Sequence, residues 1–236
     1  MIDSLYLSYR ATLGCLAKTL EARDYETRGH SDRVVAYCLR LGKEMGLAPA
    51  DLICLEQGAL LHDIGKIAVR DAVLLKPGSL GADEWPLMQK HVEYGLKIIE
   101  GTPFLSGACF VVGQHHEKYD GSGYPNGLRG EEIHINARIF AVADAFDAIT
   151  SDRPYRAAQP YMRAREEIVA GWGSHFDPSV VDAFLQVPAA ELAEIRNLAM
   201  QENYSTQLIG KAEMEKFMLK LNCSEDLKES LSAICA

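Results

Sequence analysis

The sequence lacks a long hydrophobic run, a C-x-x-C pair and an excess of basic residues. A transmembrane helix needs about 18 or more consecutive apolar residues, and no such run occurs in the 236 residues. The start, MIDSLYLSYR, has neither the basic region nor the apolar stretch of a signal peptide. We therefore expect a cytoplasmic protein without membrane insertion. The six cysteines are scattered, which argues against a disulfide framework or a thiolate zinc site.

The charge balance restricts the partners. Twenty-four basic and 33 acidic residues give a formal charge of -9, whereas binding to duplex nucleic acid or anionic membranes favours basic surfaces. Any anionic ligand therefore needs a local positive site. With 48% apolar residues, the chain can build one sizeable soluble domain, alone or with an appendage.

Helical periodicity dominates the sequence. Apolar residues recur at helical spacing in residues 32–46, 51–61 and 137–150, and few stretches alternate as strands do. Residues 118–132 contain too many glycines for a helix and predict a loop, with a short hairpin as an option. The pattern predicts an all-α fold, and residues 188–236 add two or three helices without special chemistry.

A helix that carries His91 is predicted after the break at Pro77 and Gly78. Gly81 is the expected N-cap, because Asp83 and Glu84 suit the positive end of the helix that follows.

Polar residues interrupt the apolar stretch LLHDIGKIAV, residues 60–69. Burying an unpaired charge costs several kcal/mol, roughly, so His62 and Asp63 side by side indicate a bound cation. Adjacent residues diverge on a regular helix, and the pair therefore fits a helix end. A helix end with Asp63 and Gly65 in a plain turn is the alternative from this stretch alone.

Other candidate ligands recur along the chain. Glu26 and His30 are four residues apart, which places both side chains on one helix face. His115 and His116 are adjacent, His91 falls on a predicted helix, and Asp144 follows the glycine-rich loop. A single helical histidine is more often structural, but this combination favours a metal cluster. The eight candidate metal ligands are Glu26, His30, His62, Asp63, His91, His115, His116 and Asp144.

Six motifs in this order resemble the HD-GYP phosphodiesterases, a bacterial branch of the HD-domain metal-dependent phosphohydrolases. They are ETRGH (26–30), HDIGK (62–66), His91, HHEKYDGSGYP (115–125), ADAFD (143–147) and SDRPYR (151–156). The resemblance covers roughly residues 10–185. His134 and Gly81 depart from the family's usual proline and hydroxyl cap, and neither is a ligand position.

The resemblance implies an all-helical HD-domain bundle with a glycine-rich GYP loop, two or three divalent metal ions, and hydrolysis of cyclic di-GMP to pGpG or GMP. A mixed imidazole and carboxylate shell suits iron or manganese better than a structural zinc site, and iron is the family expectation. Two close ions generate hydroxide from water and neutralise charge on a phosphodiester. We therefore assign catalytic roles to His62, Asp63, Lys66 and Asp147, with Asp147 orienting a ligand or Lys66.

Substrate contacts are expected from residues near the same motifs. Lys66 can reach a phosphate oxygen, while Gly123 and Tyr124 bring backbone and a planar ring to the ligand. The resemblance assigns Arg153 and Arg156 to the substrate pocket, where guanidinium groups bind phosphate or stack on guanine. Surface alternatives remain for Lys66 and for either arginine.

Three alternative functions stay open at this point. The substrate could be another cyclic dinucleotide, such as 3'3'-cGAMP, or a linear nucleotide. The third is a catalytically weak module that senses the messenger or docks on a cyclase domain, which the complete set of eight ligands disfavours. We expect a catalytic domain at 1–186 and a helical extension at 187–236, whose apolar residues pack on that domain or in a homodimer.

Overall fold

The computed structural model describes residues 2–24, 29–153, 156–199 and 209. This part of the chain is helical, and the all-α prediction is confirmed. Its α-helices, in chain order, are α1 Ile2–Glu21, α2 His30–Glu44, α3 Pro49–Leu61, α4 Asp71–Leu74, α5 Trp85–Gln89, α6 His91–Ile99, α7 Cys109–Gln114, α8 Ile135–Thr150, α9 Tyr161–Ala170, α10 Pro178–Gln186 and α11 Ala189–Leu198. Short 3-10 helices span Ile64–Ala68, Pro103–Ala108 and Gly130–Glu132. None of the described helices is both long and apolar enough to span a membrane.

Helix α3 lies at the centre of the fold. It packs against α1, α2, α7 and α8, and its residues from Leu52 to Leu61 are almost all buried. A helix that is apolar all round is stable only when neighbours cover every side. The C-terminal end of α3 is therefore buried. His62 and Asp63, which follow it directly, are buried as well.

Gly65 lets the chain after α3 approach α6 closely. A Cβ atom at Gly65 would lie 1.8 Å from the carbonyl oxygen of His91 and 2.4 Å from the backbone nitrogen of Gly95. No other residue fits this contact without displacing a backbone. Because Gly65 has no side chain, the backbone just after Asp63 packs directly against the backbone of His91, which brings these two residues close together.

Two local predictions need correction or refinement. The predicted single helix from Gly81 through His91 is wrong, because α5 begins at Trp85 and a separate helix, α6, begins at His91 itself. Gly81 instead donates its N–H to the Glu84 carboxylate at 2.7 Å. Pro86 suits the first turn of α5 because it lacks an N–H.

The short hairpin considered for the 118–132 loop is reduced to a single antiparallel bridge, between Asp120 and Arg129.

The extension predicted for residues 187–236 is described as far as residue 199, and at Ile209. Helix α11 packs on α2, with Leu192 and Ile195 buried, and Ile209 is buried as well. The apolar positions Phe217, Leu219 and Leu221, and the candidate ligand Glu26, lie outside the described residues. The division between residues 186 and 187 stays a prediction.

Candidate metal centre

Asp63 faces candidate ligands with both of its carboxylate oxygens. Its Oδ2 atom is 3.0 Å from Nε2 of His62 and 2.8 Å from Nζ of Lys66. Its Oδ1 atom is 3.4 Å from Nε2 of His91 and 3.7 Å from Nε2 of His115. Oδ1 is buried and accepts no hydrogen bond from the described residues. Burial raises the pKa of Asp63, but Lys66 and His62 outweigh burial and hold it well below its usual range, so the group is a carboxylate.

The imidazole group consists of Asp63, His91, His115 and His116. Each offers one ligand atom, and these atoms all lie within 4.8 Å of one another. Nδ1 of His91 lies 2.7 Å from the carbonyl oxygen of Met88, and Nδ1 of His115 lies 3.1 Å from that of Val112. A carbonyl oxygen can only accept, so both Nδ1 atoms carry the proton, and in the neutral rings Nε2 presents a lone pair.

These lone pairs leave a place that a cation fits. The Nε2 atoms of His91 and His115 are 3.2 Å apart and both face Oδ1 of Asp63, so three electron-rich atoms converge without a proton between them. Burial lowers the pKa of His91 to about 4 and that of His116 much further, so both rings are neutral at pH 7. Neutral imidazoles with one carboxylate are ligands that divalent transition metals prefer.

The carboxylate group consists of His30, Asp144 and Asp147, supported by Arg33. Nδ1 of His30 is 2.8 Å from Asp147, and its Nε2 is 3.4 Å from Asp144. Arg33 donates two hydrogen bonds to Asp147, at 2.6 and 3.0 Å. Burial raises the pKa of Asp147, but His30 and Arg33 outweigh it and lower the pKa to about 2. Asp147 therefore stays charged and fixes the His30 ring.

His62 connects the two groups. It follows the last residue of α3, and its Nδ1 donates to the carbonyl oxygen of Ala59 at 2.9 Å. Its ring centroid lies 5.8 Å from that of His30 and 5.4 Å from that of His115. The structure thus connects seven of the eight predicted ligands, Asp63 among them, in one continuous cluster that runs through His62. Glu26, the eighth, is outside the described residues.

Lys66 has two carboxylate partners. Besides Asp63, its ammonium group binds Asp24, which lies three residues after the end of α1. Arg23, the preceding residue, donates to the carbonyl oxygen of Val69 at 2.9 Å and to that of Ile67 at 2.5 Å. The end of α1 therefore holds the 3-10 helix that carries Lys66. Asp24 and Arg33 were missed by the sequence analysis, although Arg33 lies one helical turn after His30.

The GYP loop places an aromatic ring against the imidazole group. Tyr124 stacks on His116, with ring centroids 4.5 Å apart and an angle of 21° between the planes. The loop is held by Glu117, whose buried carboxylate accepts hydrogen bonds from the backbone of Asn126 at 2.8 Å and Leu128 at 3.1 Å. A Cβ at Gly123 would lie 2.4 Å from Cα of Glu117, so this position requires glycine for close backbone packing.

Arg153 and Arg156 lie just after α8, the helix that carries Asp144 and Asp147. Their backbones pair with each other, at 2.8 and 3.0 Å. Arg156 donates to the carbonyl oxygen of Ala148 at 2.6 Å, and Nε of Arg153 is buried without a hydrogen bond to any described residue.

Comparisons with known proteins agree with this geometry. Residues 14–180 match the family model described as HD domain. The chain is 44% identical over 173 residues to 3'3'-cGAMP-specific phosphodiesterase 2 of Vibrio cholerae, covering 72% of this chain and 33% of the relative. It is 42% identical over 179 residues to the cyclic di-GMP phosphodiesterase response regulator RpfG of Xanthomonas campestris, covering 75% and 47%. A cyclic di-GMP phosphodiesterase of Thermotoga maritima is 42% identical over 169 residues, covering 71% and 46%.

Solved structures share the fold. A cyclic GMP-AMP specific phosphodiesterase of V. cholerae superposes with a TM-score of 0.63 at 19% identity, covering 86% of this chain and 54% of that chain. An HDG"Y"P protein of Bdellovibrio bacteriovorus gives a TM-score of 0.56 at 20% identity, covering 84% and 65%. The chain spans a third to a half of the length of the curated relatives described above.

Proposed function

The chain belongs to the HD domain family, and from this premise we propose that it is a metal-dependent phosphodiesterase that hydrolyses cyclic di-GMP to pGpG or GMP. The observation that carries the proposal is the position of Asp63, whose Oδ2 faces Nε2 of His62 and whose Oδ1 faces Nε2 of His91 and of His115. Relatives at 42% identity are named cyclic di-GMP phosphodiesterases. As binding residues we propose the eight ligands predicted from the sequence, including Glu26.

The chain's own residues have distinct tasks in this reaction. When bound, two or three divalent ions, with iron proposed first and manganese next, supply a nucleophilic hydroxide and neutralise charge on the phosphodiester. Asp63 presents Oδ2 to His62 and Oδ1 to His91 and His115, and Asp147 keeps the His30 ring in the orientation that turns Nε2 toward Asp144. Lys66, Arg153 and Arg156 contribute positive charge for the phosphates, and Gly123 and Tyr124 contact the nucleotide.

The Lys66 side chain has to move before it can contact a phosphate of the substrate. Its ammonium group now binds Asp63 and Asp24. A cation held by Asp63 would compete with Lys66 for the negative charge of this carboxylate, which would free the ammonium group to turn toward a phosphate while Asp24 still binds it. We propose this shift as the role of the Asp24–Lys66 pair.

Hydrolysis of 3'3'-cGAMP is the second candidate. The relative that is 44% identical is named as specific for that messenger, and the metal chemistry is the same for both substrates. A cytoplasmic location, a homodimer, a cyclase-domain partner and the 1–186 and 187–236 division also remain predictions.

Turnover of the two messengers, measured side by side, tests the proposal. Anaerobically purified protein is reconstituted with Fe²⁺ or Mn²⁺ and given cyclic di-GMP or 3'3'-cGAMP, and the products are separated by chromatography. We expect metal-dependent hydrolysis of cyclic di-GMP with a higher kcat/KM than for 3'3'-cGAMP. The reverse ratio would favour the second candidate, and no metal-dependent turnover of either would overturn the phosphodiesterase proposal.

A further inference from the structure

Trp85 presents a large aromatic surface to solvent beside the candidate metal centre. The residue is 48% exposed and begins α5. Its ring contacts Tyr124 edge to face, with centroids 6.1 Å apart and planes at 76°. Tyr124 in turn stacks on His116. Two ring contacts therefore connect the ligand candidate His116 to an indole that is about half exposed.

The backbone that carries Trp85 is held in a hydrogen-bonded turn. The Trp85 N–H donates to the carbonyl oxygen of Gly81 at 3.0 Å. The Glu84 side chain closes the same turn by accepting from the Gly81 N–H at 2.7 Å and from Lys76. An exposed indole on a fixed turn offers a binding face at little cost in conformational entropy, which is the property that makes tryptophan frequent in recognition sites.

We propose that Trp85 stacks on one nucleobase of the bound cyclic dinucleotide. This inference rests on the proposed function. The scissile phosphate belongs at the imidazole group, beside His116, and each base of a cyclic dinucleotide is attached to a ribose that adjoins a phosphate. A base that leaves the metal centre on the Tyr124 side therefore meets Trp85.

The chemistry of stacking defines what this contact does and does not select. Every base has a π face, so stacking on an aromatic ring stabilises guanine and adenine to similar extents. Trp85 thus contributes affinity without distinguishing cyclic di-GMP from 3'3'-cGAMP. The alternative role is structural, in which Trp85 only supports Tyr124 and the GYP loop.

Kinetics of Trp85→Leu and Trp85→Phe separate the two roles. In the full chain loaded with Mn²⁺, we expect Trp85→Leu to raise KM for both messengers by ~10-fold or more, with kcat, metal content and Tm close to those of the unchanged chain. Trp85→Phe keeps an aromatic face and should restore most of the affinity. A structural role would instead lower Tm or kcat in Trp85→Leu, and KM for the two messengers would not be the property that changes most.

Trp172 provides a matched control and a spectroscopic readout. It is the second of the two tryptophans in the chain, is 54% exposed, and belongs to the turn that joins α9 to α10. Trp172→Leu should leave KM unchanged. In a Trp172→Phe chain the fluorescence comes from Trp85 alone, and added cyclic di-GMP should quench it.

The outcomes distinguish this inference from the proposed function. Normal turnover with an unchanged KM in Trp85→Leu overturns the stacking role and leaves the phosphodiesterase proposal intact. Absence of turnover in the unchanged chain overturns the phosphodiesterase proposal, and the quenching titration then decides the stacking role by itself. Quenching by cyclic di-GMP supports it, and no quenching up to millimolar concentration overturns it.

Discussion

The imidazole group and the carboxylate group are held by different means. In the imidazole group, the rings of His91 and His115 donate to backbone carbonyls three or four residues away in the chain. In the carboxylate group, His30 depends on Asp147, which is 117 residues away and itself depends on Arg33. One group is oriented by local backbone, and the other by a buried ionic network.

This difference predicts different sensitivities. Replacing a side chain cannot remove a backbone carbonyl, so the orientation of His91 and His115 is robust to most substitutions. The orientation of His30 is weakened when a member of the network changes, most of all Asp147 or Arg33. Loss of one partner of a buried ion pair is also costly, because an uncompensated charge stays in the interior.

Asp63→Asn should have the largest effect, because it acts on both groups. The amide keeps the size but cannot supply two anionic oxygens. We expect a fall in kcat/KM well beyond the ~10- to 100-fold that removing a hydrogen-bond partner of a ligand costs. Total metal content measured by mass spectrometry should fall, and anomalous diffraction should show lower occupancy in both groups.

Asp51→Asn is the control, since Asp51 lies on α3, the helix that leads to Asp63, and is exposed. If Asp63→Asn lost metal from one group alone, the idea that Asp63 serves both would be wrong.

Arg33→Met should affect the carboxylate group selectively. It leaves Asp147, which is 1% exposed, without two of its hydrogen bonds. We expect the free energy of unfolding to fall by about 3 kcal/mol, measured by urea denaturation. Anomalous diffraction should show lower metal occupancy near His30 and unchanged occupancy near His91.

Arg40→Met on the same helix provides the comparison. Its partners Glu44 and Glu191 are partly exposed, so the loss should stay below about 1 kcal/mol. Equal losses of metal from both groups in Arg33→Met would contradict the separate support of the two groups.

Acid should destabilise the metal-free protein through the imidazole group first. The pKa of His91 is about 4 in the folded protein and about 6.5 in the unfolded chain, so between these values the unfolded chain binds more protons. Stability therefore falls as the pH drops through this window, by about 1 kcal/mol for His91 between pH 6 and 5.

The carboxylate group responds at lower pH. The folded pKa of Asp147 is about 2, below its unfolded value, so its contribution is present above about pH 4 and is lost only on further acidification. Urea denaturation of the metal-free protein at pH 6 and 5 checks this order, and His91→Gln should reduce the slope. An unchanged slope in that variant would show that His91 does not contribute.

The fold and the local part of the site could be predicted from the sequence, for a physical reason. Helical periodicity and the adjacency of His62 and Asp63 are short-range patterns, and the helix end predicted for this pair is where α3 ends. The break at Lys90 escaped prediction because Pro86 starts a short helix inside an otherwise helical pattern. The pairing of Lys66 with Asp24, and of Arg33 with Asp147, escaped because ion pairs between distant residues depend on how the helices pack.

Asp147 shows what the sequence pattern predicts and what depends on the packing of the helices. Its distance of three residues from Asp144 suggested that it orients a ligand or Lys66. The structure pairs it with His30 and Arg33, while Lys66 binds Asp24. The spacing predicted that Asp147 orients another side chain. That this side chain is His30 depends on how α2 and α8 pack together.

Ser151→Ala should have the smallest effect, and it tests whether the weakest hydrogen bond to Asp147 contributes to the carboxylate group. Ser151 donates to Oδ1 of Asp147 at 3.1 Å, and Arg33 and His30 continue to hold the carboxylate when this bond is lost. We expect a loss of about 0.5–1 kcal/mol in stability and a decrease of a few-fold, about 2- to 5-fold, in metal affinity at the carboxylate group.

Ser179→Ala is the control. It removes a similar bond to Asp177, a buried carboxylate paired with Arg138 far along the chain, and should cost similar stability without changing metal affinity. Metal titrations of both variants check the difference. Equal metal affinity in the two variants would mean that Arg33 and His30 alone fix Asp147, and that the network supporting the carboxylate group is smaller than the hydrogen bonds indicate.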